Sequence, residues 1–291
     1  MVENLRKSLR DSAAARWTAL VIVSFTMMCG YFLTDIMAPL AGLLEGQLGW
    51  SRADYGTFTS SYGWFNVFLL MLIFGGIILD KLGVRLTGLG AAGVMVAGTA
   101  IKYWAVSTPS LGDTSLFGLD AQVFWASIGF ATFAVGVEVA GITVSKIIVK
   151  WFKGKEMAMA MGMEMAMARI GTAMALGFSV PIAKATGVVD VSRPVLVALI
   201  GLCIGLISFI VYVMMDKKLD ASEATEAAKI SDPEEEFKIA DIGKILTNKG
   251  WWYIAILCVL FYSAVFPFLK YATDLMVNKF GVKEDLAGLI P

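Results

Sequence analysis

The chain of 291 residues contains no histidine. Histidine is the commonest protein ligand for metals and the side chain that titrates most readily near neutral pH. The sequence also shows no nucleophile–base set and no metal-binding cluster, which excludes the usual constellations of an active site. We therefore expect neither a metal or other cofactor nor an enzymatic activity.

Cysteine is nearly as scarce as histidine. The three cysteines, Cys29, Cys203 and Cys258, lie far apart within apolar runs, and no Cys-x-x-Cys pair occurs. This spacing indicates neither a disulfide framework nor a structural zinc site.

Charged residues are few as well. They make up 16% of the chain, against about 25% in soluble domains. Hydrophobic residues account for 58%, and the mean hydropathy is +0.73, which excludes an ordinary water-soluble globular protein. The 24 basic and 24 acidic residues balance, so the chain is not a nucleic-acid binder held by bulk positive charge.

Long apolar segments make up most of the chain. A run of about 18 or more apolar residues is long enough to cross a bilayer as a helix. Such runs predict an all-α membrane protein with seven spans, at residues 17–43, 56–78, 86–106, 122–149, 157–182, 194–215 and 251–273.

Two local patterns within these spans imitate other structures. Methionine alternates with other residues over 157–167, but both faces of the run are mostly apolar, which favours a helix over a strand. Residues 88–93 have the Gly-x-Gly-x-x-Gly spacing of a dinucleotide-binding loop. Because they lie inside a predicted span, they indicate closely packed helices instead.

The loop charges set the orientation and the domain organisation. Fifteen Lys and Arg residues lie in the amino-terminal tail and the loops on its side of the membrane, and five lie on the other side. The positive-inside rule therefore places the amino terminus in the cytoplasm. We divide the chain into a cytoplasmic tail at 1–16, a six-helix bundle at 17–215, a cytoplasmic linker at 216–250 and the start of a carboxyl-terminal bundle at 251–291.

The linker predicts a short amphipathic helix along the inner membrane surface. It contains a helix-start pattern at 231–234 (Ser-Asp-Pro-Glu), followed by apolar residues on one helical face at Ile239, Ile242, Ile245 and Leu246. Six spans, a long connector and a new span are the layout of half a secondary transporter followed by the start of its second half. We therefore expect a chain truncated from a twelve-helix protein, whose missing carboxyl-terminal half would be its partner.

Two opposite charges are predicted to lie near the membrane midplane. Glu138 precedes the cytoplasmic cluster at Lys150 by 12 residues, and Arg169 follows Glu156 by 13 residues. At the helical rise these separations correspond to about 18–20 Å of depth on consecutive antiparallel helices. Secondary transporters bind substrates at this depth, so the pair is a candidate site for the ammonium and carboxylate of a zwitterion. A structural salt bridge between the two is the competing interpretation.

Other polar residues in the spans are weaker candidates for the same site. Tyr31 and Asp35 lie one turn apart in the first span, and Asn66 lies in the middle of the second. Lys270 and Asp274, four residues apart at the outer end of the seventh span, are expected to pair with each other.

The loop after the second span carries the most specific motif, GIILDKLGVR at 76–85. Gly76 would permit close helix approach, and Gly83 would supply the permissive backbone of a tight turn. Asp80 would attract the amino terminus of a helix in the partner half. The motif, with gating residues Gly76, Asp80, Lys81, Gly83 and Arg85, resembles the Gly-x-x-x-Asp-Arg/Lys-x-Gly-x-Arg/Lys signature of the major facilitator superfamily.

Further blocks resemble the lysosomal dipeptide transporter branch of that superfamily. They are GVE at 136–138, WFKGKE at 151–156, MARIG at 167–171 and AVFPF at 264–268. The resemblance implies a uniporter of many dipeptides in which an intramembrane glutamate and arginine engage the two ends of the substrate. Those two residues correspond to Glu138 and Arg169. No lysosomal sorting signal stands near the amino terminus, which favours a prokaryotic plasma membrane over a lysosomal one, and an accessory subunit cannot be inferred.

These observations predict a multi-pass membrane transporter for small zwitterions, foremost dipeptides, working by alternating access. Two alternatives remain open. One is a proton-coupled organic-anion carrier that uses Arg169 alone, with Glu138, Asp35 or Glu164 as the proton site. The other is a membrane scaffold or receptor fragment that transports nothing.

Overall fold

A computed structural model describes residues 9–223 and 239–290, which are almost entirely helical. Four single 3₁₀ turns and one π-helical turn connect longer helices, and a two-residue hairpin joins β1 (Ser115–Leu116) to β2 (Leu119–Asp120). The α-helices are α1 (Ala13–Asp35), α2 (Ala41–Leu48), α3 (Arg52–Ser60), α4 (Met71–Val106), α5 (Ala121–Phe152), α6 (Met157–Lys184), α7 (Ser192–Glu223), α8 (Ile239–Thr247), α9 (Lys249–Phe280) and α10 (Glu284–Ala287).

Six helical stretches in the described ranges are long and apolar enough to cross a membrane. They are Ala13–Leu48, which joins α1 to α2, then Met71–Val106, Ala121–Phe152, Met157–Lys184, Ser192–Ser222 and Lys249–Phe280. Six of the seven predicted spans lie in these stretches. The methionine-rich segment is helical, as predicted, because it forms the first three turns of α6.

The prediction of one continuous helix over 56–78 is wrong. Helix α3 ends at Ser60, a π-helical turn spans Trp64–Phe68, and Leu70 has a left-handed φ of 52° before α4 begins. Two serines at the break offer the backbone other hydrogen bonds. Ser60 Oγ donates to Thr57 O at 2.8 Å, and Ser61 Oγ donates to Phe58 O at 2.7 Å. Hydropathy counts apolar residues and does not register such competition.

Helix α4 is a hairpin of two helical arms that meet at Gly83. Gly83 has φ 73° and ψ 174°, a conformation that L side chains rarely adopt. Thr87 Oγ1 donates to Ile78 O at 3.5 Å, although nine residues along a straight helix would separate them by about 13.5 Å. The arms therefore fold back on each other, and the predicted tight turn between the second and third spans is confirmed.

Glycines bring the second arm of α4 against α5. A Cβ on Gly136 would come within 2.7 Å of the Met95 backbone nitrogen, and one on Gly129 within 2.5 Å of the Lys102 nitrogen. The prediction of close packing at 88–93 holds for Gly88, which lies under the Phe209 ring of α7. Gly90 and Gly93 have no neighbour within 4 Å among the described residues. Helix α1 completes the bundle by packing against α6 and α7.

The part of the chain that follows the bundle is mostly exposed where the structure describes it. Helix α7 continues to Glu223, eight residues beyond the predicted end of the bundle at 215. A helix is present at Ile239–Thr247, as predicted, with Ile245 and Leu246 40% and 50% exposed, whereas the predicted helix start at 231–234 lies outside the described residues. Helix α9 is exposed along most of its length, and its carboxyl-terminal half contacts the carboxyl-terminal end of α1. Helix ends on this side of the bundle, which is predicted to face away from the cytoplasm, are called outer ends.

Candidate functional site

The break in the second span positions Tyr62 against Glu138. Tyr62 lies in the 3₁₀ turn Ser61–Gly63, and its hydroxyl donates a hydrogen bond of 2.5 Å to Glu138 Oε1 on α5. The Tyr62 ring also packs against Phe130, with 5.5 Å between centroids. A continuous helix would not have produced this turn, so the irregular backbone is what gives Glu138 its protein partner.

Arg169 meets the same region from α6. Its guanidinium carbon lies 5.6 Å from the centroid of the Tyr31 ring on α1, which is a cation–π contact. Glu138, Arg169 and Glu164 lie within electrostatic reach of the Tyr31 hydroxyl. Of the two charges predicted at the midplane, Arg169 thus contacts the half-buried Tyr31 directly, and Glu138 lies in the same region.

Glu138 and Arg169 do not pair with each other. Among residues 9–223 and 239–290, no salt bridge joins them, and the Arg169 guanidinium, which is exposed, donates no hydrogen bond. Glu138 is held by a neutral phenol and Arg169 by a ring face. The arrangement keeps two opposite charges apart and leaves their strongest hydrogen-bonding capacity unused by the described part of the protein.

Asn66 lies one turn beyond Tyr62, in the π-helical segment. Both its amide nitrogen and its amide oxygen are enclosed and have no hydrogen-bond partner in the described chain. A buried amide without partners is costly, and π-helical turns are frequent at functional sites. Its role as a candidate substrate-binding residue stays a prediction.

Asp35, by contrast, lies outside this convergence. It is buried at the outer end of α1, where Thr172 Oγ1 donates to Oδ2 at 2.8 Å and Lys270 Nζ lies 2.7 Å from Oδ1. Lys270 also donates to Thr34 O at 2.5 Å. The structure therefore places Asp35 in a contact between α1 and α9 rather than with Glu138 and Arg169.

The predicted pairing of Lys270 with Asp274 is wrong. Lys270 is bound to Asp35, and Asp274 instead receives a 2.5 Å hydrogen bond from Arg52 Nη1. An exposed pair four residues apart on a helix is worth only a few tenths of a kcal/mol, whereas a buried carboxylate left without a partner costs several. Lys270 therefore pairs with the buried Asp35.

The motif at 76–85 forms a network at the end of the bundle that is predicted to face the cytoplasm. Arg85 Nε lies 2.6 Å from Asp216 Oδ2 and its other end contacts Asp220, while Lys150 Nζ lies 2.8 Å from the same Asp216 oxygen. Asp216 is fully buried, and Trp151 and Tyr212 donate to its second oxygen at 3.0 and 3.1 Å. Arg85 is thus fixed by α7.

The other motif residues differ in their roles. Asp80 accepts from Lys146 on α5 at 3.1 Å, within the same bundle, and its predicted attraction to a helix of the partner half stays a prediction. Gly76 has no neighbour within 4 Å among the described residues; the close approach is at Gly75, which lies against Val139. Lys81 is exposed. Within the motif, Gly83 therefore forms the turn and Arg85 makes the buried ion pair.

The two charged residues with no exposed surface among those described were not predicted from the sequence. One is Asp216, whose only local signal is a second aspartate four residues later at the end of a predicted span. The other is Lys102, which is fully buried between the rings of Phe58 and Phe130 near the outer end of α4. A single lysine near the end of an apolar run reads as a snorkelling residue, so its burial gave no sequence signal.

The sequence was compared with known families and proteins. The profile of the Major Facilitator Superfamily matches residues 17–290. The lysosomal dipeptide transporter MFSD1 of Danio rerio is 26% identical over 275 residues, which cover 91% of this chain and 55% of the relative. The human protein of the same name is 25% identical over 288 residues, covering 95% and 57%. The chain spans about half the length of these relatives.

A second group of relatives matches a smaller part of the chain. The probable anion transporter 2, chloroplastic, of Oryza sativa subsp. japonica is 32% identical over 133 residues, which cover 45% of this chain and 22% of the relative. The superfamily match, by contrast, takes in nearly all of the described helices, including the Gly83 turn and the residues around Tyr31. The chain is a multi-pass membrane protein and belongs to the major facilitator superfamily.

Proposed function

We propose that this protein carries small zwitterionic solutes, foremost dipeptides, across a membrane by alternating access. Glu138 binds the substrate ammonium, and Arg169 binds the carboxylate through its two-pronged guanidinium. The proposal is carried by one observation: Glu138 accepts a hydrogen bond from Tyr62, Arg169 lies over the Tyr31 ring, and the two charges do not pair with each other. A zwitterion supplies the opposite charge that each of them lacks.

We assign Asn66 to the peptide bond of the dipeptide. A dipeptide presents one N–H donor and one C=O acceptor between its charged ends, and the unpartnered amide of Asn66 offers the complementary acceptor and donor. A single amino acid has no such bond. The names of the MFSD1 relatives, which are dipeptide transporters, support the same substrate class. No driving ion is needed in this scheme, so we propose uniport.

The site is tested by removing one charge from the ligand and, separately, the opposite charge from the protein. Binding of a dipeptide with uncharged side chains to the purified protein is compared with binding of its N-acetyl and C-amide derivatives. Glu138→Gln is expected to weaken binding of the free dipeptide at least about tenfold, because a lost charged hydrogen bond is worth that much. Binding of the N-acetyl form should not change. Arg169→Met is expected to weaken binding of the free dipeptide by a similar factor and to leave binding of the C-amide unchanged.

The control is Lys153→Met, which removes an exposed charge from the cytoplasmic loop between α5 and α6. It should bind all three ligands as the wild type does. The site assignment is lost if Arg169→Met weakens the dipeptide and its C-amide equally, or if neither variant changes dipeptide binding.

A second candidate is a proton-coupled carrier of organic anions. It is favoured by the chloroplastic anion transporters among the relatives and by Glu164, a buried acidic residue one helix turn and a half from Arg169 on α6. In that case Arg169 alone binds the substrate. Accumulation of an organic anion that collapses with the proton gradient would support this function against dipeptide uniport. Saturable binding of either ligand counts against a scaffold without transport.

The membrane in which the protein works is part of the proposal. The sequence favours a prokaryotic plasma membrane, whereas the MFSD1 relatives are lysosomal by name. Fractionation of the native host, with the protein followed by an antibody against its cytoplasmic linker, separates the two.

A further inference from the structure

Asp35 is the only described buried residue at the outer end of α1 that carries a negative charge. Its exposed fraction is 4%, and its cationic partner is Lys270 of α9 at 2.7 Å. The contact joins the six-helix bundle to the seventh span, and Arg52 and Asp274 form a second, more exposed contact beside it. Both contacts must break when the outer ends of α1 and α9 separate.

Lys102 approaches the same region from within the bundle. It is fully buried, and its ammonium has no hydrogen-bond partner in the described chain. The ammonium lies 5.0 Å from the centroid of Phe58 and 4.7 Å from that of Phe130. Two ring faces offset part of the cost of burying an ammonium group, but they do not replace a carboxylate.

Phe130 links the two lysines. The Lys270 ammonium lies 5.9 Å from the centroid of the same ring, and Lys102 interacts electrostatically with both Lys270 and Asp35. One carboxylate is therefore within electrostatic reach of two ammonium groups, one on α4 and one on α9. The hydroxyl of Tyr55 donates to Lys270 O at 3.0 Å and fixes the backbone of α9 there.

We propose that Asp35 exchanges its lysine partner during the transport cycle. With the outer ends of α1 and α9 together, Lys270 neutralises Asp35 and Lys102 rests on the two rings. When α9 withdraws, Asp35 loses Lys270, and the flexible Lys102 side chain moves past Phe130 to take its place. The exchange rests on the alternating-access mechanism proposed above and makes Lys102 a positioning residue for the open state.

The physical reason concerns the populations of the two states. If Lys270 were the only cation available to Asp35, the outer ends of α1 and α9 would stay together. A buried carboxylate without a cation is strongly destabilised, so an open state lacking Lys102 would be scarcely populated. A ligand of modest affinity can shift an equilibrium only if the two states are already close in free energy. A second cation inside the bundle brings them close.

The test measures the distance between the outer ends without any substrate. Spin labels are placed at Gly46→Cys on α2 and Lys279→Cys at the end of α9, both exposed. The labelled protein is the full chain with every native cysteine, including Cys29, Cys203 and Cys258, replaced by alanine. Lys102→Met is expected to lower the ratio of open to closed distances by about tenfold or more. Lys270→Met is expected to raise it by a similar factor.

The Lys102→Met change made in an Asp35→Asn background distinguishes partner exchange from altered packing. Without the carboxylate, Lys102→Met should shift the ratio by less than about twofold. Lys102→Gln keeps a polar head without the charge and should behave as Lys102→Met does, and the loop variant Lys153→Met should change nothing. Equal shifts with and without Asp35, or no shift at all, overturn the exchange.

This readout separates the inference from the substrate assignment. If dipeptides fail to bind but the distances respond as expected, the proposed substrate is wrong and the exchange stands. If dipeptides bind as proposed and Lys102→Met leaves the distances unchanged, the exchange is wrong and the substrate site stands.

Discussion

The Tyr62 hydroxyl donates a 2.5 Å hydrogen bond to Glu138, which lies 76 residues later in the chain. The contact exists because the second span breaks at Ser60 and turns Tyr62 towards α5. The irregular segment is thereby tied to the glutamate that we assign to the substrate ammonium.

Removing this hydroxyl should weaken substrate binding. Tyr62→Phe keeps the ring against Phe130 but leaves Glu138 without its donor, and a hydrogen bond to a charged group is worth about 1.5–3 kcal/mol. We expect dipeptide affinity to fall about tenfold, measured by titration calorimetry. Tyr253→Phe, at a tyrosine that is 74% exposed on α9, is the matched control and should bind normally. Equal affinities for the two variants would contradict the role of Tyr62.

Neutralising Asp216 should destabilise the bundle. Asp216→Asn leaves Arg85 and Lys150 without the buried carboxylate that both of them contact. Breaking a buried pair by removing one partner typically costs about 3–5 kcal/mol. Asp220 contacts the same two residues but is 48% exposed, so Asp220→Asn should cost less than about 1 kcal/mol. Thermal unfolding in detergent compares the two, and a similar loss for both would refute the assignment.

Gly83→Ala should lower the free energy of unfolding, whereas Gly90→Ala should raise it. Gly83→Ala forces a Cβ into φ 73° and ψ 174°, which costs on the order of 1–3 kcal/mol. Gly90→Ala, on the next helical arm with no neighbour within 4 Å, should stabilise by about 0.5–1 kcal/mol. Melting temperatures of the two variants should therefore move to opposite sides of the wild type. A stabilised Gly83→Ala would mean that the turn is not needed.

Acid should weaken the contact between the amino-terminal end of α1 and the loop before α6. The pKa of Glu156 is lowered from 4.5 by its own backbone N–H and by Arg16, whose Nη2 lies 3.0 Å from Oε2. A carboxylate with a depressed folded-state pKa contributes stability above its unfolded value and loses it as the pH falls through the folded value. The contribution is therefore present above pH 4.5 and is lost below it.

Glu156→Gln tests this dependence. The variant should lose less stability than the wild type when melting temperatures are compared at pH 6 and below pH 4, because its side chain does not titrate. Parallel curves for the two proteins would show that the Arg16–Glu156 contact contributes nothing.

Much of the architecture was predictable because it depends on local properties. Apolar runs predicted the positions of six spans, and the pattern at 76–85 predicted the turn at Gly83. Helical rise alone predicted similar depths for Glu138 and Arg169, and in the structure Glu138 contacts Tyr62 while Arg169 contacts Tyr31. Each inference needs only distances along a helix or the conformational freedom of one residue.

Other features were not predictable because they depend on competition between partners. Serine hydroxyls and backbone groups compete at the break after α3, and an apolar run gives no measure of that competition. Lys270 had a neighbour of opposite charge four residues away and nevertheless pairs with Asp35. The burial of Lys102 and Asp216 likewise follows from helices that meet only in the folded bundle.

By itself, the sequence of this protein determined that it is a helical membrane protein, and it predicted which side its loops face and which charged residues lie deep in the spans. These properties follow from hydropathy, loop charge and helical rise, which are set residue by residue. Only the tertiary structure decided that Asp35 binds a lysine 235 residues away and that Glu138 binds Tyr62 rather than Arg169. Partner choice follows from the desolvation cost of each buried charge, and that cost arises only when distant segments enclose it.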